Sequence, residues 1–184
     1  SEVLAIRGRI FPSTLTNVTL EAELGSGRQM VGETSISHAA DSIKQMFLLP
    51  RHCAPVEETL EAIAEADLIT LGPGSLFTSV IPNLLVDGIA EAIAKSNAPK
   101  VYVCNLMEEP GETEGYTASD HVKALFRHSL DGLADYVIVN ERTAAEPVLQ
   151  RYAETEAGPV EVDRAALEAM GVQVLSVDLL AGGD

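Results

Sequence analysis

Polar and apolar residues alternate at period two in the first fifty residues of the chain, which is the pattern of half-buried strands. The alternation is clearest before the turn Gly25-Ser26-Gly27, and this turn predicts a β-hairpin in which Gly27 takes a positive φ. Strands are predicted over residues 3–10, 17–24, 28–33 and 43–49. We therefore expect residues 1–50 to be rich in β-structure and locally antiparallel.

After Pro55 the hydrophobic period changes to that of a helix, with Val56, Leu60 and Ile63 on one face and glutamates on the other. Helices are predicted over residues 56–66, 83–95, from about 117, and over 163–170. Strands are predicted over residues 67–71, 100–104, 135–140 and 172–175, with mostly loop over 141–161. The alternation of helix and strand predicts βαβ units, and hence a mainly parallel sheet with right-handed crossovers.

These patterns predict a single α/β domain over residues 1–184, β-rich over 1–50 and built of βαβ units over 56–184. A chain of 184 residues, 46% of them hydrophobic, is long and apolar enough to bury a sizeable core. Disorder is excluded by the same composition. Cys104 ends an apolar run, which favours a buried free thiol over a disulfide to Cys53.

Charge and hydrophobicity then exclude several classes of protein. The 28 acidic against 12 basic residues give a net charge of −16, which argues against a nucleic-acid surface. Backbone amides can still bind a small anion without a basic surface. No apolar run reaches the ~20 residues that a membrane helix needs, and no signal peptide is recognisable, so we expect a cytoplasmic protein without a membrane span. The apolar composition also allows a homodimer.

Candidate chemistry centres on the turn Gly72-Pro73-Gly74-Ser75, which follows the strand over 67–71 and precedes a helical pattern. Glycines let the backbone approach a ligand closely, and the unpaired N–H groups of a first helical turn attract anions. Thr78 and Ser79 add hydroxyl donors nearby. The sequence therefore predicts a phosphate-binding turn, although Ser75 could instead cap a helix and the other two hydroxyls could pack locally.

Polar loops follow two further predicted strands, beginning at Asn105 and at Asn140. Because ligands of parallel sheets bind beyond the carboxyl ends of the strands, we expect these loops to converge with the glycine turn. The alternatives are that Asn105 holds its own backbone and that Glu112 and Thr113 are solvated or rim residues. No metal site is predicted, because His38, His52 and His128 have no ligand spacing.

Thr117 with Asp120 resembles a capping box, so Asp120 is expected to be a helix-start charge and His121, by default, a surface histidine.

Four motifs carry a resemblance to a known family. The segment 72–86 resembles the signature of the CofD/YvcK superfamily. The segments Asn105-Leu106-Met107, 110–113 and Asp120-His121-Val122 resemble the YvcK branch, also called gluconeogenesis factor. Together they span about residues 70–140, and weaker similarity extends over the β-rich start.

The resemblance implies a Rossmann-like three-layer fold and a bacterial cytoplasmic protein. The YvcK branch is similar to proteins that bind UDP-sugars and are needed for cell shape on gluconeogenic carbon sources. The CofD branch is similar to transferases that move a phospholactyl group from a nucleotide-activated donor to a deazaflavin, with magnesium. In that alternative Asp120 or His121 is the group expected to deprotonate the acceptor. The segment 105–121 follows the YvcK pattern and therefore favours binding.

The resemblance and the glycine turn together give one set of candidate residues. Those expected to bind a nucleotide-sugar or its phosphates are Gly72, Pro73, Gly74, Ser75, Thr78, Ser79, Asn83, Asn105, Met107, Gly111, Glu112 and Thr113. No cofactor is assigned from the sequence; magnesium is the one that could accompany a nucleotide diphosphate.

The chain departs from the family pattern in three places. It lacks the glycine-rich start and the Asp-Asp-Gly-Gly stretch of family members, and it lacks their late Arg-His-Asp segment. We therefore expect it to be the C-terminal portion of a longer family member. Glu108-Glu109 also stands where Thr-Gln is more usual, which adds negative charge beside the candidate phosphate site.

Overall fold

The chain forms two separate sheets, and the computed structural model describes residues 8–39, 41–140 and 157–179. The smaller sheet is antiparallel, with strand order β2-β1-β3. Its strands are β1 (Thr19–Leu24), β2 (Gln29–Val31) and β3 (Ile43–Leu49). The predicted hairpin is confirmed, and Gly27 has a φ of 84°. Of the strand predicted over 3–10, residues 3–7 lie outside the described ranges and residues 8–10 are not in a strand.

The larger sheet consists of four parallel strands in the order β4-β5-β6-β7. They are β4 (Ile69–Leu71), β5 (Lys100–Val103), β6 (Tyr136–Asn140) and β7 (Gln173–Val177). The α/β class and the parallel sheet predicted from the sequence are therefore confirmed. Leu71 pairs with Tyr102, so the glycine turn after β4 and the loop after β5 leave the sheet at the same edge.

Helices connect these strands largely where the sequence predicts them, with two differences. They are α1 (Glu33–Ser37), α2 (Glu57–Ala64), a π-helical turn (Leu76–Val80), α3 (Ile81–Leu84), α4 (Ile89–Lys95), α5 (Ala118–Arg127) and α6 (Arg164–Ala169). The single helix predicted over 83–95 is wrong: α3 ends before α4 begins, and Gly88 between them has a φ of 81°. Helix α1 was not predicted, because its five residues are too few to show a helical period.

The predicted loop over 141–161 falls mostly outside the described residues, which resume at Ala157. The part that is described runs beside the loop after β5. Met107 forms an isolated bridge with Pro159, and Thr117 forms one with Glu161. This segment therefore covers one side of the 105–117 loop.

His128 ties the small sheet to the rest of the fold. Its Nε2 accepts a hydrogen bond of 2.9 Å from the backbone N–H of Met46 in β3. Its Nδ1 donates to the carbonyl oxygen of Ala124 in α5, 2.7 Å away. Both ring nitrogens are thus satisfied only in the neutral tautomer that carries its proton on Nδ1. Burial lowers the pKa of His128 and favours this neutral form.

Both cysteines are buried and free, as predicted for Cys104. Burial raises the pKa of the Cys104 thiol to about 12. Among the described residues, no single helix has the length and apolar composition to span a membrane; only the bent pair Leu76–Leu84 and Ile89–Lys95, at 76° to each other, meets that test jointly.

Candidate functional site

A glycine turn at the carboxyl end of β4 lies at the centre of the candidate site. Gly72 has a φ of 83° and Gly74 a φ of 154°, and the Gly72–Pro73 peptide bond is cis. A Cβ atom on Gly72 would lie 3.2 Å from the carbonyl oxygen of Val103, and one on Gly74 would lie 3.3 Å from Cβ of Ser79. Both positions therefore require glycine, for conformation and for space.

A π-helical turn follows the glycine turn directly. The backbone N–H groups of Ser79 and Val80 both donate to the carbonyl oxygen of Ser75, at 2.9 and 3.0 Å. Turns of this type are rare and occur often at functional sites. The predicted order of strand, glycine turn and helical segment is present, and the first N–H groups of the helical segment have no intrahelical acceptor.

The side chains of Ser75 and Thr78 contact two carboxylates of the loop after β5. Ser75 Oγ donates to Oε1 of Glu109 across 3.0 Å. Thr78 Oγ1 donates to Oε1 of Glu112, also across 3.0 Å. Two of the predicted phosphate-binding hydroxyls thus have their protons directed at negatively charged groups.

The loop after β5 is held in shape by a turn from Glu109 to Thr113. The backbone N–H of Thr113 donates to the carbonyl oxygen of Glu109 across 2.8 Å, and Thr113 Oγ1 accepts from the backbone N–H of Glu109 at 3.0 Å. Thr113 has no exposed surface and Glu112 is only 6% exposed. The alternative that these two residues are solvated is therefore wrong, because the turn directs both side chains into the protein.

The surroundings of the Glu109 carboxyl group disfavour its negative charge. Burial raises the pKa of its carboxyl group, the hydrogen bond from Ser75 lowers it, and the neighbouring charge of Glu112 raises it again, with a net increase. The Oε2 atoms of Glu109 and Glu112 are buried and have no hydrogen-bond partner among the described residues. The hydroxyl group of Tyr102, on β5, is buried and unpartnered in the same sense.

Ser79 and Asn83 lie apart from these carboxylates. Asn83 Nδ2 donates to the carbonyl oxygen of Ser79 across 2.7 Å, and Asn83 Oδ1 accepts from Ser13 Oγ at 2.5 Å. They border an open cavity of about 390 Å³ that Gly72 and Pro73 also line. The predicted ligand residues therefore divide into two groups, one on this cavity and one at the buried carboxylates.

The remaining candidates of the loop are held mainly by backbone contacts. Gly111 has a φ of 83°, and a Cβ on it would lie 2.5 Å from the carbonyl oxygen of Ser37, so the loop rests on the end of α1. Met107 takes part in the bridge to Pro159. Asn105 is partly buried and is the second residue after the end of β5.

Asp120 and His121 are engaged within α5. Asp120 completes the predicted capping box with Thr117 and forms an ion pair of 2.8 Å with Lys123. His121 has no exposed surface, so the expectation of a surface histidine is wrong. Its Nδ1 donates to the carbonyl oxygen of Thr117 across 2.9 Å, and its ring packs edge-on against Tyr116. Burial lowers the pKa of His121 and favours the neutral imidazole.

Sequence reasoning did not include Glu109, Ser37 and Tyr102 among the site residues. The departure from Thr-Gln at Glu108-Glu109 was a signal for Glu109, but no local pattern indicates that it contacts Ser75, 34 residues away. The arrangement joins a helix start suited to an anion with a buried acidic pair. An anion at this turn therefore needs a proton or a cation at Glu109 and Glu112 to offset their repulsion.

Comparisons with known proteins agree on one family. The family model described as 2-phospho-L-lactate transferase CofD matches residues 1–180. The gluconeogenesis factor of Halalkalibacterium halodurans is 47% identical over 176 residues, which are 96% of this chain and 55% of that protein. The gluconeogenesis factor of Bacillus subtilis is 45% identical over 175 residues, 95% of this chain and 55% of that protein.

A solved structure is similar over the whole described fold. A UPF0052 family protein from Bacillus halodurans has a TM-score of 0.94 and 45% sequence identity, and the match covers 98% of this chain and 58% of that one. The chain thus spans little more than half the length of these relatives.

Proposed function

The chain belongs to the CofD family, in the branch whose relatives are called gluconeogenesis factor, and we propose that it binds a UDP-sugar and acts as a regulatory protein. The observation that carries this proposal is the glycine turn at the carboxyl end of β4, which borders an open cavity of about 390 Å³. A strand end of a parallel sheet followed by a helical start is where such folds bind phosphate groups.

The division of the candidate residues fits a ligand with two chemically different parts. The diphosphate lies at the glycine turn, near the first N–H groups of the π-helical turn and the hydroxyls of Ser75 and Thr78. The cavity beside Gly72 has an apolar wall that includes Ile69, Leu71 and Leu84, which suits the flat face of a base or sugar. Ser79 and Asn83 supply polar contacts at its rim.

Binding is favoured over group transfer by the state of Asp120 and His121. A general base must be free to reach the proton that it abstracts. Asp120 is occupied by the capping box and by Lys123. The Nε2 atom of His121 has no partner among the described residues, but the side chain has no exposed surface, so an acceptor hydroxyl does not reach it in this arrangement. We extend the proposal to a role in cell shape and carbon metabolism in the bacterial cytoplasm, as the family resemblance and the relatives' name suggest.

The test is a calorimetric titration of the full-length protein with UDP-N-acetylglucosamine, with and without Mg²⁺, on the wild type, Ser75→Ala and Thr78→Val. On binding, each hydroxyl turns its proton from the carboxylate to a phosphate oxygen. We expect micromolar binding that weakens about tenfold in each variant, since each variant loses that hydrogen bond to the phosphate. Thr34→Val, a change of the same shape on the exposed side of α1, is the control and leaves the affinity unchanged. Mass spectrometry after incubation is expected to find the ligand intact.

Two outcomes would overturn the proposal. Turnover of a nucleotide-linked phospholactate with a deazaflavin acceptor, without binding of any UDP-sugar, would assign the CofD-type transfer instead. Binding that Ser75→Ala and Thr78→Val leave untouched would place the ligand away from the glycine turn.

A further inference from the structure

Two short turns with the same residue spacing face each other in the site. One carries Ser75 and Thr78, and the other carries Glu109 and Glu112, with a backbone hydrogen bond of 3.0 Å from Glu112 N–H to the Glu109 carbonyl oxygen. Side chains three residues apart on a helical turn point to the same side. Each hydroxyl contacts the carboxylate opposite it, so the two carboxylates lie side by side. The charge of Glu112 acts on Glu109, which agrees with this placement.

Each carboxylate uses one oxygen for the hydroxyls and leaves the other oxygen without a partner. Glu112 Oε1 accepts from Thr78 Oγ1 at 3.0 Å and from Ser37 Oγ at 3.1 Å. The Oε2 atoms of both residues are buried and receive no hydrogen bond from the described part of the chain, and Glu112 is only 6% exposed. A buried, ionised oxygen without a partner is costly, so a positive group is needed there.

Tyr102 carries another buried oxygen atom without a hydrogen-bond partner among the described residues. Its side chain has no exposed surface, and its hydroxyl group has no hydrogen-bond partner in the described ranges. Burial raises the pKa of this hydroxyl group, and the charges of Cys104 and Glu109 raise it further. Three buried oxygen atoms, one on β5 and two in the loop after it, therefore lack a hydrogen-bond partner in the part of the chain that the structure describes.

We propose that Glu109 and Glu112 hold one divalent cation of the Mg²⁺ class through their Oε2 atoms. Oxygen atoms are the ligands that such hard cations prefer, and Mg²⁺ is commonly held by one or two carboxylates together with water and phosphate. Within residues 8–39, 41–140 and 157–179, no group of three or more acidic, histidine or cysteine side chains could hold a metal. The pair therefore fits a partly hydrated cation and not a closed protein cage.

The acidic surroundings favour cation access to the pair. Glu112 also lines a cavity of about 360 Å³, whose wall includes Asp41 and Glu114. Carboxylates around a cavity raise the local concentration of cations by focusing the electrostatic potential. The cation reaches Glu112 from this side, while the glycine turn lies on the side of Ser75 and Thr78.

The cation removes the electrostatic conflict in the site. With it in place, a diphosphate at the glycine turn meets a neutralised pair in place of two negative charges. This consequence rests on the proposed function, whereas the cation site itself does not. Nucleotide affinity is thus expected to depend on Mg²⁺ in the wild type and much less in Glu109→Gln, which keeps the hydrogen bond from Ser75 and removes the charge.

The test uses Mn²⁺ alone, added to the full-length protein without nucleotide. Free Mn²⁺ is counted by electron paramagnetic resonance, and Mg²⁺ is added as a competitor. We expect one site per chain, displaced by Mg²⁺, and an affinity at least about tenfold lower in Glu109→Gln and in Glu112→Gln. Glu61→Gln, the same charge change on the exposed face of α2, is the control and keeps the wild-type affinity.

A thermal unfolding series with Mn²⁺ separates loss of the site from loss of the fold. We expect Mn²⁺ to raise the Tm of the wild type and of Glu61→Gln, and to leave the Tm of the two site variants unchanged. Equal Mn²⁺ binding by all four proteins, or none by the wild type, would overturn the cation site and favour a proton shared by the two carboxylates. A cation site without UDP-sugar binding would instead count against the proposed function alone.

Discussion

Thr78 Oγ1 donates a hydrogen bond to Oε1 of Glu112 across 3.0 Å, although 34 residues separate them in the chain. Ser37 Oγ, at the end of α1, donates to the same oxygen at 3.1 Å. One carboxylate thus joins the small-sheet half of the chain, the segment after β4 and the loop after β5. Glu112 is therefore the residue at which these three segments meet in the candidate site.

Gly111→Ala is expected to destabilise the protein more than Gly115→Ala. Both glycines are in the same loop with similar positive φ values, 83° and 72°. A Cβ on Gly111 would lie 2.5 Å from the carbonyl oxygen of Ser37, whereas nothing lies within 4 Å of one on Gly115. The conformational cost of about 1–2 kcal/mol is shared, and the collision adds about 1–3 kcal/mol to Gly111→Ala alone. Urea unfolding measures both, and equal losses would contradict the contact with α1.

Acidification is expected to destabilise the protein through His121 and His128. Burial lowers the pKa of both, so below about pH 6.5 the unfolded chain binds more protons than the folded one. Their contribution is complete above that pH and is lost as the pH falls through the lowered folded pKa values. The loss is at most about 1.4 kcal/mol per pH unit for each histidine.

The measurement is the free energy of unfolding in urea between pH 7.5 and 5. Glu109, with its raised pKa, acts in the opposite direction, so the comparison is between the wild type and His128→Gln at each pH. His128→Gln keeps an acceptor for Met46 N–H and is expected to show a smaller slope. His52→Gln at the exposed His52 side chain is the control, and the prediction fails if all three slopes agree.

Thr117→Val is expected to cost about 1–2 kcal/mol of stability. Thr117 Oγ1 accepts from the backbone N–H of Asp120 at 3.3 Å and lies 3.0 Å from Oδ2 of Asp163, which in turn accepts from Ser119. The substitution therefore removes the cap of α5 and its contact with the start of α6. Thr34→Val, which loses a threonine hydroxyl on the exposed surface of α1, is expected to change the stability by less than about 0.5 kcal/mol. Thermal unfolding of both variants measures these two losses of stability, and equal losses would contradict the capping role of Thr117.

Cys104 is expected to resist alkylation in the native protein. With a pKa of about 12, about one thiol in 10,000 is ionised at pH 8, and only the thiolate reacts. Iodoacetamide labelling followed by mass spectrometry is expected to modify Cys104 in urea and not in buffer. Rapid labelling in buffer would show that the end of β5 opens to solvent, and Cys104→Ser identifies any signal that comes from Cys53.

The sequence determined the features that a few neighbouring residues encode. Period-two alternation predicted the hairpin of β1 and β2, because burial of one face of a strand imposes that period. The alternation of predicted helices and strands after residue 55 predicted the parallel sheet. The capping box of Thr117 and Asp120 and the glycine turn at Gly72 follow in the same way from local backbone requirements. Strands β6 and β7 and helix α6 were also predicted from the apolar patterns of their own segments.

Only the tertiary structure decided what faces Ser75, Thr78 and His121. The approach of Glu109 and Glu112 depends on the pairing of β4 with β5, which brings two loops to one edge of the sheet. The break between α3 and α4 and the burial of His121 likewise depend on what packs against them, since the same apolar pattern suits a continuous helix or an exposed first turn. The local residues therefore determined where the glycine turn forms, and contacts across 34 residues set the charge that surrounds it.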